Sequence, residues 1–209
     1  MNFILSLIFP DKCPYCGCLL KYPQTACERC KTELSSAPVI KTIFSGVCCA
    51  APFYYEGDVR QAIHHFKFRG AKFNAESFSE EIARAVRSAG FCMDEVTYVP
   101  TSFSSRWKRG FDQSDVIARK AAKILDVPFF PLIRKTGKNK VQHELSPEER
   151  RKNVIGVYTA VMPEETRNKS ILLIDDICTT GSTLSECSKV LLSAGAKEVN
   201  CASIAIVRK

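Results

Sequence analysis

Hydrophobic residues recur at two different spacings along this chain. Helical spacing places Val59, Ile63 and Phe66 on one face of a segment that begins at Gly57 and ends at Gly70. The same spacing predicts further helices over residues 75–88, 113–125 and 182–194. Short apolar runs predict strands over residues 96–100, 154–161, 171–174 and 199–207. Strands that alternate with helices are typical of an α/β fold with a parallel sheet.

Two segments lack this periodicity. The first is rich in cysteine and ends at a turn of sequence SSAP, so we predict a small module over residues 1–36 and a larger domain over residues 37–209. The second, residues 134–152, is highly charged and almost free of apolar residues, which predicts a long flexible loop. Loops of this length in compact domains are usually functional.

The apolar start of the chain, MNFILSLIFP, has no basic region and no small-residue cleavage site. No apolar run approaches the roughly 20 residues that a membrane-spanning helix needs. We therefore predict a cytoplasmic protein that does not span a membrane.

Composition narrows the class of protein. The chain has 209 residues, of which 45% are hydrophobic and 25% charged, and this balance excludes disordered and fibrous proteins. The net charge of +8 favours partners that carry phosphate, without separating nucleotides from nucleic acids. Five of the eleven cysteines fall between Cys13 and Cys30, which favours a local metal site over a disulfide framework.

The clustered cysteines form two CxxC motifs, Cys13 with Cys16 and Cys27 with Cys30. Four thiolates in two such turns are typical of a tetrahedral zinc site, and a site filled by protein ligands is structural. Unligated or redox-active cysteines and an iron–sulfur cluster are the alternatives. Cys18 is a spare thiol that we interpret as a bystander.

The segment ILLIDDICTTGSTLSECSKVL carries the most specific chemistry. A predicted buried strand delivers Asp175 and Asp176 at its carboxyl end, where open α/β sheets bind ligands. A turn with four hydroxyls and one glycine then opens directly into a helix, which makes a cradle for phosphate: Thr179, Thr180, Gly181, Ser182 and Thr183. The chain has no Walker A lysine and no GxGxxG motif, so P-loop and dinucleotide-binding interpretations are weak.

Two carboxylates beside a phosphate site need a ligand that separates the negative charges. A ribose 5-phosphate meets this need, because its vicinal hydroxyls donate hydrogen bonds to the acids while its phosphate occupies the loop. An ordinary strand, turn and helix with a capping residue is the alternative, and it leaves the paired acids unexplained.

The stretch IDDICTTGST resembles the ribose-phosphate motif of type I phosphoribosyltransferases. Together with the double CxxC motif, the stretches YYEGDVRQAIHHFKFRG, VPTSFSSRWKRGFDQ and ERRKNVIGVY resemble the ComF family of competence-associated proteins over nearly the whole chain. The resemblance implies a parallel-sheet type I phosphoribosyltransferase fold that follows a small N-terminal zinc-binding module.

The resemblance also implies roles for individual residues. Asp175 and Asp176 would be the catalytic acids that contact the ribose hydroxyls, and the ligand's phosphate would lie against the residues from Cys178 to Thr183, although we assign no role to the Cys178 side chain. The pyrophosphate loop would comprise Pro100, Thr101, Ser102, Arg106 and Arg109. Mg²⁺ would bridge the pyrophosphate to the ribose, and the flexible loop would close over the reaction and exclude water.

Two functions follow from the resemblance. The first is a phosphoribosyltransferase-like protein that binds phosphoribosyl pyrophosphate with Mg²⁺, acts in DNA uptake during natural transformation and, if it is an enzyme, transfers the sugar to an unidentified acceptor. The alternative is a non-catalytic protein that binds single-stranded DNA, with the zinc module as a docking element for DNA or for a helicase or other DNA-processing partner. Its candidate DNA contacts are Arg106, Trp107, Lys108, Arg109 and Phe111. A tryptophan that simply packs in the pyrophosphate loop is slightly favoured over base stacking.

Overall fold

A computed structural model describes residues 11–34, 37–44, 46–68, 74–102, 106–107, 110–136 and 156–208. The helices with defined bounds in these ranges are α1 (Glu28–Leu34), α2 (Gly57–Phe68), α3 (Asn74–Ser88), α4 (Gln113–Leu125), α5 (Pro163–Thr166) and α6 (Ser182–Ser193). The strands are β1 (Val39–Phe44), β2 (Val47–Ala51), β3 (Phe53–Tyr54), β4 (Glu95–Tyr98), β5 (Ile133–Lys135), β6 (Tyr158–Ala160), β7 (Ser170–Cys178) and β8 (Glu198–Ile206).

The main sheet has six strands in the order β1-β2-β8-β7-β4, and β3 also pairs with β8. The strands β2, β3, β4, β7 and β8 pair in parallel, and only β1 is antiparallel, because it forms a hairpin with β2. Strands β5 and β6 form a separate antiparallel pair. The α/β prediction with a mostly parallel sheet is confirmed.

The central strand β7 is covered on both faces. Alternate side chains of a strand point to opposite faces, so Leu172 and Ile174 join one core with the buried aromatic residues of α2 and α3. Ile171 and Leu173 join a second core with Leu184 of α6. All four of these side chains are fully buried, and burial on both faces of the sheet explains why the sequence is continuously apolar here.

The predicted helix over 113–125 has the observed bounds of α4. The strand predicted over 171–174 is longer in the structure than in the prediction, because β8 continues to pair with it at Asp175, Ile177 and Cys178. The hairpin of β1 and β2 was not predicted as a unit. The flexible loop predicted from residue 134 begins too early, since Arg134 and Lys135 lie in β5, and residues 137–155 lie outside the described residues.

The cysteine-rich segment packs against the main core through Tyr15. The Tyr15 ring makes edge contacts with Phe53 at 5.7 Å and with Phe78 at 6.1 Å between ring centroids, and its hydroxyl lies 3.4 Å from Ser77 Oγ. Residues 11–34 therefore share a core with α3 and the sheet. None of the described helices is both long enough and apolar enough to cross a membrane.

Candidate functional site

The carboxyl end of β7 carries the two predicted acids, both partly buried. Asp175 Oδ1 accepts a hydrogen bond of 3.1 Å from Ser114 Oγ, at the start of α4, and one of 2.8 Å from the backbone N–H of Asp176. The site therefore joins two elements that are 61 residues apart in the chain. We call Asp175 and Asp176 the acidic pair.

Asp176 forms an ion pair with Lys67, which α2 brings to the same end of the sheet. Lys67 Nζ lies 2.7 Å from Asp176 Oδ2, and only 17% of the lysine side chain and 13% of the aspartate side chain are exposed. This lysine contributes a positive charge that the sequence analysis did not assign to the site.

Burial raises the pKa of Asp175 to about 7, and the neighbouring negative charge of Asp176 adds to this shift. The two hydrogen bonds and the charge of Lys67 act in the opposite direction. Asp175 therefore changes its protonation state close to neutral pH, and its ionised form is the better acceptor for a hydroxyl group.

The turn after β7 carries hydroxyl groups at partly exposed positions. Thr180 Oγ1 and Ser182 Oγ lie 2.7 Å apart, and both residues are partly exposed. Gly181 is the N-cap of α6 and has a φ of 82°, so it places no side chain between the first amides of the helix and a ligand. The arrangement fits the predicted phosphate cradle.

The hairpin strand β1 contacts this turn through two of its side chains, Lys41 and Ile43. The Lys41 ammonium donates a hydrogen bond to the carbonyl of Thr179. A Cβ atom at Gly181 would lie 2.9 Å from Ile43 Cδ1, so the turn packs closely against β1. Cys178 is buried, and its thiol accepts a hydrogen bond from Cys49, which lowers the pKa of Cys178. The carbonyl of Cys178 accepts a hydrogen bond from the Val207 N–H, so the backbone of Cys178 belongs to the sheet.

The predicted pyrophosphate loop is held by Asp112. The backbone N–H and the hydroxyl of Thr101 donate hydrogen bonds of 2.9 Å and 2.8 Å to Asp112 Oδ2. Asp112 is 5% exposed, and its Oδ1 has no hydrogen-bond partner among the described residues. Burial raises the pKa of Asp112. The Ser102 carbonyl accepts a hydrogen bond of 3.0 Å from the Arg106 N–H.

The candidate DNA contacts that the structure describes lie in different environments. Trp107 is 80% exposed, so the interpretation that this tryptophan packs is wrong. Arg106 is also exposed, whereas Lys108 and Arg109 lie outside the described residues. Phe111 is buried, and its ring lies 5.6 Å from the ring of Phe66, which removes it from the surface available to DNA.

The two CxxC motifs meet as predicted. The Sγ atoms of Cys13, Cys16, Cys27 and Cys30 all lie within 4.8 Å of one another, so the four thiols could hold a metal ion. The first motif turns through hydrogen bonds from Gly17 N to Cys13 O and from Cys13 N to Cys18 O. The second motif leads into α1.

Hydrogen bonding and burial shift the pKa values of the cluster thiols in opposite directions. A hydrogen bond from the backbone of Cys18 lowers the pKa of Cys16 to about 6, whereas burial raises the pKa of Cys30. Cys18 is exposed and lies outside the cluster of four, but its thiol makes hydrogen bonds with Cys16 and Cys27.

Comparisons with known proteins identify both the domain and the relatives. Residues 112–209 match the model of the phosphoribosyl transferase domain. Competence protein F of Haemophilus influenzae is 29% identical over 90% of this chain and 81% of its own length. DNA utilization protein YhgH of Escherichia coli is 28% identical over 90% and 80%, and competence protein ComFC of Streptococcus pneumoniae is 26% identical over 93% and 80%.

This chain is a relative of the competence F and ComFC proteins. The resemblance to the ComF family is thereby confirmed, together with the phosphoribosyl transferase domain. Among solved structures, adenine phosphoribosyl transferase of Trypanosoma brucei is 11% identical, with a TM-score of 0.47 over 80% of this chain and 74% of its own. The fold assignment rests on the domain match and the observed sheet.

Sequence reasoning missed three side chains that shape the candidate site: Lys67, Asp112 and Ser114. Each lies inside or beside a stretch that resembles the ComF family, but none belongs to a motif with a known chemical signature. Asp112 and Ser114 flank the first residue of α4, a position where short polar residues are usually read as helix caps. The sequence pattern indicates only that Lys67 is a polar residue on a helix surface.

Proposed function

We propose that the acidic pair and the turn Thr179–Thr183 bind the ribose 5-phosphate part of phosphoribosyl pyrophosphate. The observation that carries this proposal is the pair of partly buried carboxylates at the end of β7, followed at once by a turn at the start of α6 whose N-cap residue, Gly181, has no side chain to cap the helix. The carboxylates accept hydrogen bonds from the ribose hydroxyls. The first amides of α6 and the hydroxyls of the turn bind the phosphate.

The diphosphate of the ligand then lies toward the pyrophosphate loop, which Asp112 holds through Thr101. Mg²⁺ would be held by diphosphate oxygens together with oxygen atoms of this loop, a donor set that suits a hard cation, and it would neutralise the charge of the leaving diphosphate. The chain's own residues orient the sugar. The reaction class is transfer of a phosphoribosyl group to a nucleophile. The relatives named as competence and DNA utilization proteins support a role of this protein in DNA uptake.

Calorimetric titration of the full chain with phosphoribosyl pyrophosphate and Mg²⁺ tests this function. We expect saturable binding by the wild type and a loss of affinity of at least 10-fold in the Asp175→Asn/Asp176→Asn variant. Asp115→Asn is the matched control, because Asp115 pairs with Arg119 on the surface of α4. Equal affinity in the wild type and the double variant would refute the proposal.

We propose further that the four clustered cysteines hold a structural zinc ion. Four thiolates in two CxxC turns fit the tetrahedral coordination of zinc and leave no ligand position for water. The module boundary near residue 36 and the cytoplasmic location stay predictions.

Binding of single-stranded DNA is a second candidate function, favoured by the exposure of Trp107 beside Arg106. Exposed aromatic rings next to basic residues stack on bases while the basic groups contact phosphates. Trp107 is the only tryptophan in the chain, so its fluorescence reports on this position alone. We expect quenching by an oligothymidylate that weakens as salt increases, and no change in fluorescence at low salt would exclude stacking at Trp107.

A further inference from the structure

Lys67 belongs to a part of the chain that the phosphoribosyl transferase match does not include. The match covers residues 112–209, whereas Lys67 lies near the end of α2. Its ammonium nevertheless lies 2.7 Å from Asp176 Oδ2, at the centre of the proposed ribose site. The N-terminal half of the protein therefore supplies one of the charged groups of this site.

The position of Lys67 is fixed by its neighbour in sequence. Phe66 is fully buried, and its ring packs against Phe78 at 5.5 Å and Phe111 at 5.6 Å between centroids. These contacts anchor the last turns of α2 beside the start of α4. The lysine therefore approaches the acidic pair from a rigid support.

A largely buried ion pair contributes little net stability, because removing both charges from water costs about as much as their attraction returns. The effect of Lys67 on the acidic pair is more direct. Asp175 receives two hydrogen bonds, one from Ser114 and one from the backbone, whereas Asp176 receives the ammonium. Without this cation, the negative charge of Asp176 would lie uncompensated beside Asp175.

The groups that surround the acidic pair leave Lys67 as its direct cationic partner among the described residues. Lys135, Tyr158 and Cys187 lie near enough to interact electrostatically with Asp175, but among the described residues only Lys67 makes an ion pair with either acid. A carboxylate has several acceptor positions on its two oxygens. Asp176 can therefore keep its ion pair while it accepts a hydrogen bond from a ribose hydroxyl.

We propose that Lys67 is a positioning residue that holds the Asp176 carboxylate in a fixed orientation, so that the site selects ribose phosphates over 2-deoxyribose phosphates. This inference rests on the proposed function. A carboxylate held in position to accept a hydrogen bond from a ribose hydroxyl discriminates against a sugar that lacks this hydroxyl, because the carboxylate then loses its hydrogen-bond donor. Without its ion pair, the Asp176 carboxylate turns away from this orientation, and the site loses the discrimination.

The test is a pair of calorimetric titrations of the full chain at about pH 7.5, one with ribose 5-phosphate and one with 2-deoxyribose 5-phosphate. We expect the wild type to prefer ribose 5-phosphate by about 10-fold or more. Lys67→Met should reduce this preference to within about threefold, and Lys67→Arg should keep most of it because the charge is retained. Lys67→Met added to Asp176→Asn should reduce the preference no further, since both changes remove the same interaction.

Lys120→Met is the matched control, because Lys120 also pairs with an acid, Glu76, and that pair joins α3 to α4 without touching the acidic pair. Lys67→Gln serves as a second neutral variant if Lys67→Met does not fold, as judged by circular dichroism. A folded neutral variant that keeps the full preference for ribose would overturn the role of Lys67 and leave the proposed function intact. Equal binding of both sugars by the wild type would also overturn it, whereas no binding of phosphoribosyl pyrophosphate or of either sugar would defeat the proposed function itself.

Discussion

The four-cysteine cluster and the acidic pair differ in how much of the chain each of them requires. All four thiols of the cluster come from residues 13–30, and they meet through two local turns. The acidic pair depends on partners from α2 and α4 that only the folded sheet brings together. The first site is therefore expected to need its metal in order to fold, whereas the second should exist before any ligand arrives.

Removal of the metal is the change with the largest expected effect. Structural zinc sites contribute on the order of 10 kcal/mol to the folding of the segments that hold them. We expect Cys13→Ser or a strong chelator to release zinc and to expose residues 11–34 to proteolysis, measured by metal content and peptide mapping. Cys18→Ser is the control and should retain the metal, and a Cys13→Ser protein with unchanged metal content and protection would contradict the assignment.

Truncation of Tyr15 tests whether the two regions are coupled. This ring lies between Phe53 and Phe78, so Tyr15→Ala should lower the free energy of unfolding by about 3–5 kcal/mol, as for other large buried aromatic residues. Tyr15→Phe loses only the contact with Ser77 and should cost about 1 kcal/mol. Urea denaturation measures both values, and a small effect of Tyr15→Ala would mean that the cysteine-rich segment is energetically independent.

Asp175→Asn should stabilise the protein above neutral pH and abolish tight ligand binding. The folded protein keeps a proton on Asp175 up to about pH 7, whereas the unfolded chain releases it near the ordinary value of 3.8, so the free energy of unfolding falls as pH rises through this interval. Asparagine does not titrate, and we expect a gain on the order of 1–3 kcal/mol at pH 8. Urea denaturation from pH 5 to pH 8 measures this difference.

The same titration predicts that the wild type binds phosphoribosyl pyrophosphate more weakly as the pH falls below about 7. Asp115→Asn should alter neither the pH dependence of stability nor that of binding. A wild type whose stability does not fall between pH 5 and pH 8 relative to Asp175→Asn would show that Asp175 is ionised throughout.

Gly181→Ala has the smallest expected effect on stability, about 1–2 kcal/mol. Part of this cost comes from the φ of 82° and part from the approach of the new Cβ atom to Ile43 Cδ1. Gly46→Ala separates the two parts, because Gly46 has a φ of 76° with nothing within 4 Å of its Cβ position. Thermal unfolding and ligand titration of both variants should show that only Gly181→Ala weakens binding, and equal binding losses in both would contradict a role for this turn.

The sequence predicted the parts of the structure that depend on neighbouring residues. Helix α4, the strand before Asp175 and the meeting of the two CxxC motifs follow from periodicity and spacing over a few turns of chain. The acidic pair and its turn could be recognised because strand, acids, glycine and helix are consecutive in the chain.

The parts that depend on tertiary packing were not predictable in the same way. Lys67 has no distinguishing feature on α2, and its role follows only from the burial of Phe66 beside α4. Strand β7 extends past Ile174 because β8 continues beside it, which no local pattern in β7 reveals. The exposure of Trp107 also depends on the path of the loop, since an isolated aromatic residue in a basic segment suits either a packed or an open position.

The order of the sheet has a consequence for how this protein could be divided. The segment that matches the phosphoribosyl transferase domain contributes β7 and β8, but the strands beside them, β4 and β2, come from earlier in the chain. Residues 112–209 on their own would therefore present two unpaired sheet edges and a bare apolar face, features that promote aggregation. The phosphoribosyl transferase match is thus shorter than the unit that we expect to fold on its own, because that unit includes the strands that precede residue 112.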